Sequence, residues 1–219
     1  MAVILQVEFM VKSIQQFFIA LLVVMGVSSG AFAADTSAPD KLISSLFEGV
    51  NERLKQDADK IAADRNHLIV IGDELLAPYV SFETMSKQIL GKNWRKISPD
   101  QRKRYTEAFR QKVSFSVVSQ YDPTKKYDME VTGQRLNDKG DRAAVSSVVT
   151  DLSNANKLNI SYKLFKSRKT NNWQVYDVVV EGVSVLQSFK TASAEDFKRN
   201  GIEYMIAQLQ NEKDTPESE

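Results

Sequence analysis

The apolar positions of this chain change period once, near Pro123. Before it they recur at helical spacing, and after it they alternate with polar residues. Leu42, Ile43, Leu46, Val50 and Leu54 form one stripe beginning at Asp40, which predicts an amphipathic helix. A second helix is predicted over Leu68 to Leu76, stopped near Pro78. A third covers about Phe82 to Leu90, with Phe82, Met85 and Ile89 on one side and Gly91 placed to end it. Ser98-Pro99-Asp100-Gln101 then puts serine at the cap, proline at N1 and glutamine at N3, a complete capping box. The helix it opens carries Tyr105, Ala108, Phe109, Val113 and Val117 on one face and should run to about Gln120.

Beyond Pro123, Tyr127 to Leu136, Arg142 to Asp151, Leu158 to Arg168 and Trp173 to Val180 read as four strands separated by polar turns. Leu158, Ile160, Tyr162 and Leu164 alternate with polar residues, giving that strand one buried face. Two helices, about Val183 to Arg199 and Ile202 to Asn211, should close the chain. No internal repeat interrupts this order. Helices, a strand meander and helices again predict an α+β domain, with helices packed on one face of a mostly antiparallel four-stranded sheet.

The ends are expected to lie outside that domain. Lys12 precedes the apolar run Phe17 to Val27, and Ala31-Phe32-Ala33 supplies the small residues of a signal-peptidase site. The run is shorter than the roughly 20 residues that span a bilayer. Residues 1–33 therefore read as a signal peptide cleaved after Ala33, residues 34–211 as one domain, and residues 212–219 as a disordered tail. Glu8 is out of place in a charged leader, so Met10 is a second candidate for the initiating residue.

Composition removes several chemistries. The 219 residues include no cysteine, which excludes a disulfide framework, a thiol nucleophile, a cysteine metal site and a lipidated N-terminal cysteine. A formal charge of +1 gives no reason to expect a nucleic-acid partner, and no metal or cofactor is expected. His67 is the single histidine, so no H-E-x-x-H site exists and a histidine-based hydrolase would depend on it alone. Its place between Asn66 and Leu68, at a helix start, reads as a surface or cap role. The chain also lacks a G-x-S-x-G elbow and a phosphate-cradling glycine loop.

Asp177 is the stronger suspect, because it interrupts the apolar strand Trp173-Gln-Val-Tyr-Asp-Val-Val-Val180. Strict alternation puts Trp173, Val175, Asp177 and Val179 on one face and Tyr176, Val178 and Val180 on the other. A buried carboxylate costs several kcal/mol unless paired and hydrogen-bonded. A structural tie to a cation on a neighbouring strand is favoured over ligand contact or catalysis. Glu181-Gly182 fits a sharp turn at the strand end, giving Gly182 a structural role. Arg95, Lys96, Arg102, Lys103, Arg104, Arg110 and Lys112 form a dense basic set. It reads either as the solvated side of a helix or as a surface for acidic partners or anionic lipid head groups.

Two stretches carry a resemblance. Leu90 to Phe109, LGKNWRKISPDQRKRYTEAF, resembles the L-G-x-x-W-(R/K)-x-(A/S)-(T/S)-P-x-Q-R-x-x-(F/Y)-x-x-x-F signature of the MlaC family. These are periplasmic phospholipid-binding proteins of the maintenance-of-lipid-asymmetry pathway, also called the toluene-tolerance family. Trp173 to Ser184, WQVYDVVVEGVS, is similar to the family's W-x-V-Y-D-x-x-x-E-G-V-S motif, and Gly201-Ile202 to Leu209 to its C-terminal segment ending in A-Q-L. One departure follows G-V-S: where many members read aromatic-Arg-x-x-Phe, this chain has Phe189-Lys190-Thr191-Ala192-Ser193.

The resemblance implies a soluble, monomeric, non-enzymatic carrier with an NTF2-like fold, holding phospholipid acyl chains as cargo in an apolar cavity between sheet and helices. It also implies partners: an outer-membrane lipoprotein complex and an inner-membrane ABC transporter bearing an MCE-domain protein. The candidate cavity wall is Phe82, Met85, Tyr105, Phe109, Val113, Ile160, Tyr162, Leu164, Tyr176, Val178 and Val180. The candidate docking residues are Arg95, Lys96, Arg102, Lys103 and Arg104. Two other classes stay open. NTF2-like shapes also house enzymes, which would need convergent acid–base groups, and the third class is an interaction module with a filled core.

Overall fold

The computed structural model describes residues 36–211, so the expected signal peptide and the tail at 212–219 lie outside the described residues. The chain opens with α1 (Pro39–Gln56), α2 (Ala58–Ala63) and α3 (His67–Leu75), followed by a single 3-10 turn at Ala77–Tyr79. After α4 (Phe82–Leu90), a second 3-10 segment (Gly91–Arg95) leads into α5 (Pro99–Gln120). The expected capping box is present, and the structure adds a second serine cap. Ser81 accepts from the Thr84 N–H at the start of α4, and Ser98 and Gln101 form the reciprocal capping box of α5. The short helix α2 is not foreshadowed by periodicity, since six residues are too few to display it.

The sheet runs in the order β1-β2-β3-β4-β5, antiparallel throughout: β1 (Tyr127–Leu136), β2 (Arg142–Asp151), β3 (Lys157–Lys166), β4 (Trp173–Val180) and β5 (Val183–Ser184). It therefore has five strands rather than four. The fifth is two residues that the helical reading had absorbed into the start of the last helix. Val180 pairs with Val183 across a two-residue turn in which Glu181 and Gly182 have φ of 47° and 81°. Positive φ at both central positions matches the twist of a tight hairpin, and glycine meets the second at no steric cost. The Glu181 carboxylate accepts from the backbone N–H and side-chain amide of Asn159, holding the turn against β3. The last helix, α6 (Val185–Asn211), is broken at Gly201 (φ 75°, ψ −176°), which divides it close to the boundary expected between two helices.

Packing produces two cores. One joins α1 and α3 to the sheet through Leu42, Leu46, Leu68, Ile71, Val145, Val149, Ile160 and Leu164. The other joins α4, α5 and α6 through Met85, Ile89, Tyr105, Phe109, Leu186, Ile202 and Met205. Burying one such side chain contributes roughly 1.5–3 kcal/mol, so each cluster is a strong cohesive unit. The seam between them is where the candidate site lies.

Candidate functional site

The register of β4 decides which of its side chains face that seam. Ile160 pairs with Val180, Tyr162 with Val178 and Lys163 with Asp177, but Leu164 pairs with Val175. One extra residue of β4 is thus accommodated between Val175 and Asp177, a β-bulge. Strict alternation fails at this point. Cross-strand partners share a face, so Val175, Val178 and Val180 lie together with Ile160, Tyr162 and Leu164. Asp177 turns to the opposite face, with Lys163. On its edge side β4 is held at the same place, where the Ser81 N–H donates to the Val175 carbonyl at 2.9 Å and Val80 bridges to Val175.

Asp177 is only 1% exposed and each oxygen is satisfied. Its Oδ2 accepts from Lys163 Nζ and from the Ser184 hydroxyl, both at 2.8 Å, and Oδ1 accepts from the Leu186 N–H at 3.1 Å. Ser184 in turn accepts from the Gln187 N–H at 3.0 Å. One carboxylate therefore joins β3, β4, β5 and the first turn of α6, where a helix N-terminus favours negative charge. It is a tie between elements.

Between the two cores lies a cavity of about 180 Å³. From the first core come Ile43, Leu46 and Phe47 of α1, Leu68, Ile69 and Gly72 of α3, and Met129, Ile160, Tyr162, Val175 and Val178 of the sheet. The second supplies Phe82 and Met85 of α4, Val113 and Ser114 of α5, and Val185 and Phe189 of α6. Leu76, Ala77 and Val80 complete the wall, and Asp73 is its only charged member among the described residues. Burial pushes the Tyr162 hydroxyl up to about 12, and that hydroxyl points at the Met129 sulfur, 3.8 Å away. The space is apolar, with one polar end where α3 meets α5.

Of the candidate wall residues, Phe82, Met85, Val113, Ile160, Tyr162 and Val178 line this cavity. Five do not. Tyr105 is buried inside the second core. Phe109 sits one layer behind the wall, its ring 6.3 Å from Phe82 and 5.2 Å from Phe189. Leu164 and Val180 are enclosed in packing on the correct face of the sheet. Tyr176 is turned away by the bulge, its ring 6.0 Å from Phe165 and tilted 57° to it, beneath the Arg142 guanidinium. The contribution of α1 was missed because Ile43, Leu46 and Phe47 have the spacing of any core stripe.

The basic set divides in two. Arg102 donates to the Trp94 carbonyl at 2.9 Å and lies 5.5 Å from the centre of the Trp94 ring, which ties α5 to the preceding 3-10 segment. Arg104 grips Glu203 of α6 with two bonds of 2.8 and 2.6 Å and Asp100 with a third. The Arg104 guanidinium, helped by Gln101, holds the Glu203 carboxyl down at about 2. Arg102 and Arg104 are thus engaged in contacts within the chain, Arg104 with its side chain still 43% exposed. Arg95, Lys96 and Lys103 remain exposed at the surface.

His67 is more engaged than a surface or cap role implies. Its Nε2 lies 2.8 Å from Asp57 Oδ2, and Asp57 also accepts from Lys60 and Arg53. Lys60, Arg53 and His67 hold the Asp57 carboxyl well below the usual carboxylate range. This cluster fixes the junction of α1, α2 and α3. Nothing in the spacing of Asp57 and His67 announces it.

Residues 44–211 match the family model described as MlaC protein. The chain is similar to the intermembrane phospholipid transport system binding protein MlaC of Haemophilus influenzae, 24% identical over 183 residues that cover 84% of this chain and 85% of that protein. Its fold is also that of a solved phospholipid-binding protein from Ralstonia solanacearum in complex with a phospholipid. That similarity has a TM-score of 0.68 at 19% identity and covers 84% of this chain and 97% of the other.

Proposed function

The chain belongs to the MlaC protein family, and from that premise we propose that it is a periplasmic phospholipid carrier, moving lipid between an outer-membrane lipoprotein complex and an inner-membrane ABC transporter with an MCE-domain protein. The observation that carries this reading is the cavity, an apolar space at the seam of two cores with, among the described residues, a single charged side chain at one end. Two acyl tails of roughly 16 carbons each, at about 0.8 kcal/mol per methylene, represent on the order of 25 kcal/mol of exposure to water. A lipid crosses an aqueous space readily only if those tails are enclosed. A bilayer and an apolar cavity solvate them similarly, so transfer at either end is close to balanced.

At about 180 Å³ the cavity is smaller than the roughly 300–1,000 Å³ of ordinary small-molecule sites. Loading therefore requires the walls to separate. The seam suits this, because each wall belongs to a core that is cohesive on its own. We read the chain as non-catalytic, since Asp73, Ser114 and the buried Tyr162 hydroxyl do not form a convergent acid–base pair along the cavity wall.

Organic extraction of the purified protein, followed by mass spectrometry, tests the carrier reading. Co-purified phospholipid is expected, and a repeatedly empty extract sinks the proposal. Export is part of the same reading: N-terminal sequencing of the mature protein should begin at Ala34, and retention of residues 17–27 would contradict it. Docking on acidic surfaces of the membrane complexes falls to Arg95, Lys96 and Lys103. The variant Lys96→Glu with Lys103→Glu should slow transfer to vesicles bearing those complexes by about tenfold at low salt, with the gap closing as salt screens the contact. Bound lipid should be unchanged, and equal transfer rates would return these residues to a purely solvating role.

A further inference from the structure

The cavity wall holds one charged group among the described residues, Asp73 on α3, and it faces a partner across the opening. Arg110 of α5 reaches it through Nη1, while Nε and Nη2 bond to Glu107 on Arg110's own helix. Ser114, one turn after Arg110, places a hydroxyl on the same wall. The side chains of Asp73 and Arg110 are 42% and 27% exposed, so the pair stands where the apolar space meets solvent. A lipid that enters tails first leaves its head group beside it.

We propose that the Asp73–Arg110 pair at the cavity mouth selects head groups by charge, favouring a zwitterionic phosphodiester that carries an ammonium group over a purely anionic one. The inference rests on the carrier reading above. A guanidinium forms forked bonds to a phosphate, and a carboxylate accepts from an ammonium. A phosphoethanolamine head group presents both charges a few bonds apart, as the rim does in the opposite sense. A phosphoglycerol head group offers the phosphate alone and leaves its anion facing Asp73. One unmatched unit charge at about 4 Å in water-like surroundings corresponds to roughly fivefold discrimination. Specificity here comes from a repulsive element as much as from an attractive one.

The test uses the purified mature chain, stripped of lipid and incubated with vesicles of phosphatidylethanolamine and phosphatidylglycerol in equal amounts with identical acyl chains. Extracts are weighed by mass spectrometry, with melting curves on the same samples to verify folding. Wild type should hold the ethanolamine lipid in about fivefold excess. Asp73→Asn should bring the ratio close to unity, because the one carboxylate on the cavity wall among the described residues is gone while Arg110 stays, held on its own helix by Glu107. Arg110→Gln breaks the same ion pair but keeps the anion, so its ratio should stay at or above the wild-type value while total lipid falls. If the pair were only a helix-to-helix tie, the two substitutions would act alike. Equal ratios in wild type and both variants, or a parallel shift in both variants, overturn the selection proposed here while leaving the carrier intact. Folded protein that takes up neither lipid in any variant overturns the carrier reading, and this inference with it.

Discussion

Asp177→Asn is expected to lower the unfolding free energy by about 3 kcal/mol, the range for disrupting a buried, hydrogen-bonded charge. The asparagine is nearly the same shape, so the loss is chemical. If its oxygen stays on the Leu186 N–H, its NH2 group replaces the oxygen that accepts from Lys163 and Ser184. The Ser184 hydroxyl can rotate to accept, but the Lys163 ammonium cannot. If the amide is flipped, the NH2 group meets the Leu186 N–H instead, and a buried donor is left without an acceptor. The Lys163 side chain is 41% exposed and regains water, so most of the cost falls on the join between β4, β5 and α6. For a domain of this size the melting temperature should drop by roughly 6–12 °C. The same samples should retain their lipid once folded, because Asp177 faces away from the cavity. Unchanged melting with lost lipid would make it a ligand contact instead.

The bulge that places Asp177 was legible in hindsight, from one residue. A carboxylate on the face of Trp173 and Val175 contradicts a buried strand, and a single inserted residue resolves it. The run Val178-Val179-Val180 hid the remedy, because three consecutive valines fit either phase of the alternation. Elements bounded by strong local chemistry were read closely: α5 runs from its Ser98 cap to Gln120, and β1 and β2 fall between their polar turns as expected. β5 was not, because two residues have no period, and its existence depends on the Glu181-Gly182 hairpin. The cavity was half legible for a related reason. Periodicity tells which side of an element is apolar, but not whether the side chains opposite it meet. Leu164 and Ile160 share a face of β3, yet only Ile160 reaches the seam between the two cores. The roles of Arg102 and Arg104 depended on Trp94 and Glu203, whose contacts no local pattern specifies.

Val178→Trp is expected to reduce co-purified phospholipid by at least about tenfold while leaving the lipid-free fold near wild-type stability. Val178 lines the cavity and is only partly buried, so its side chain has space in front of it rather than packed neighbours on every side. An indole there occupies volume that a tail would need. Excluding just two methylenes from the cavity, at about 0.8 kcal/mol each, is enough for roughly tenfold in affinity. Ile160→Trp is the instructive contrast on the neighbouring strand. Ile160 also lines the cavity but is 3% exposed and built into the sheet-side core, so the larger ring must displace packed neighbours there. Overpacking of that kind typically costs about 1–3 kcal/mol, and this variant should lose both stability and lipid. Thermal melts and extractable lipid, measured together, separate the two cases. If Val178→Trp unfolds as readily as Ile160→Trp and its folded fraction carries a full complement of lipid, the seam between the cores is filled packing rather than a binding space, and the site moves elsewhere.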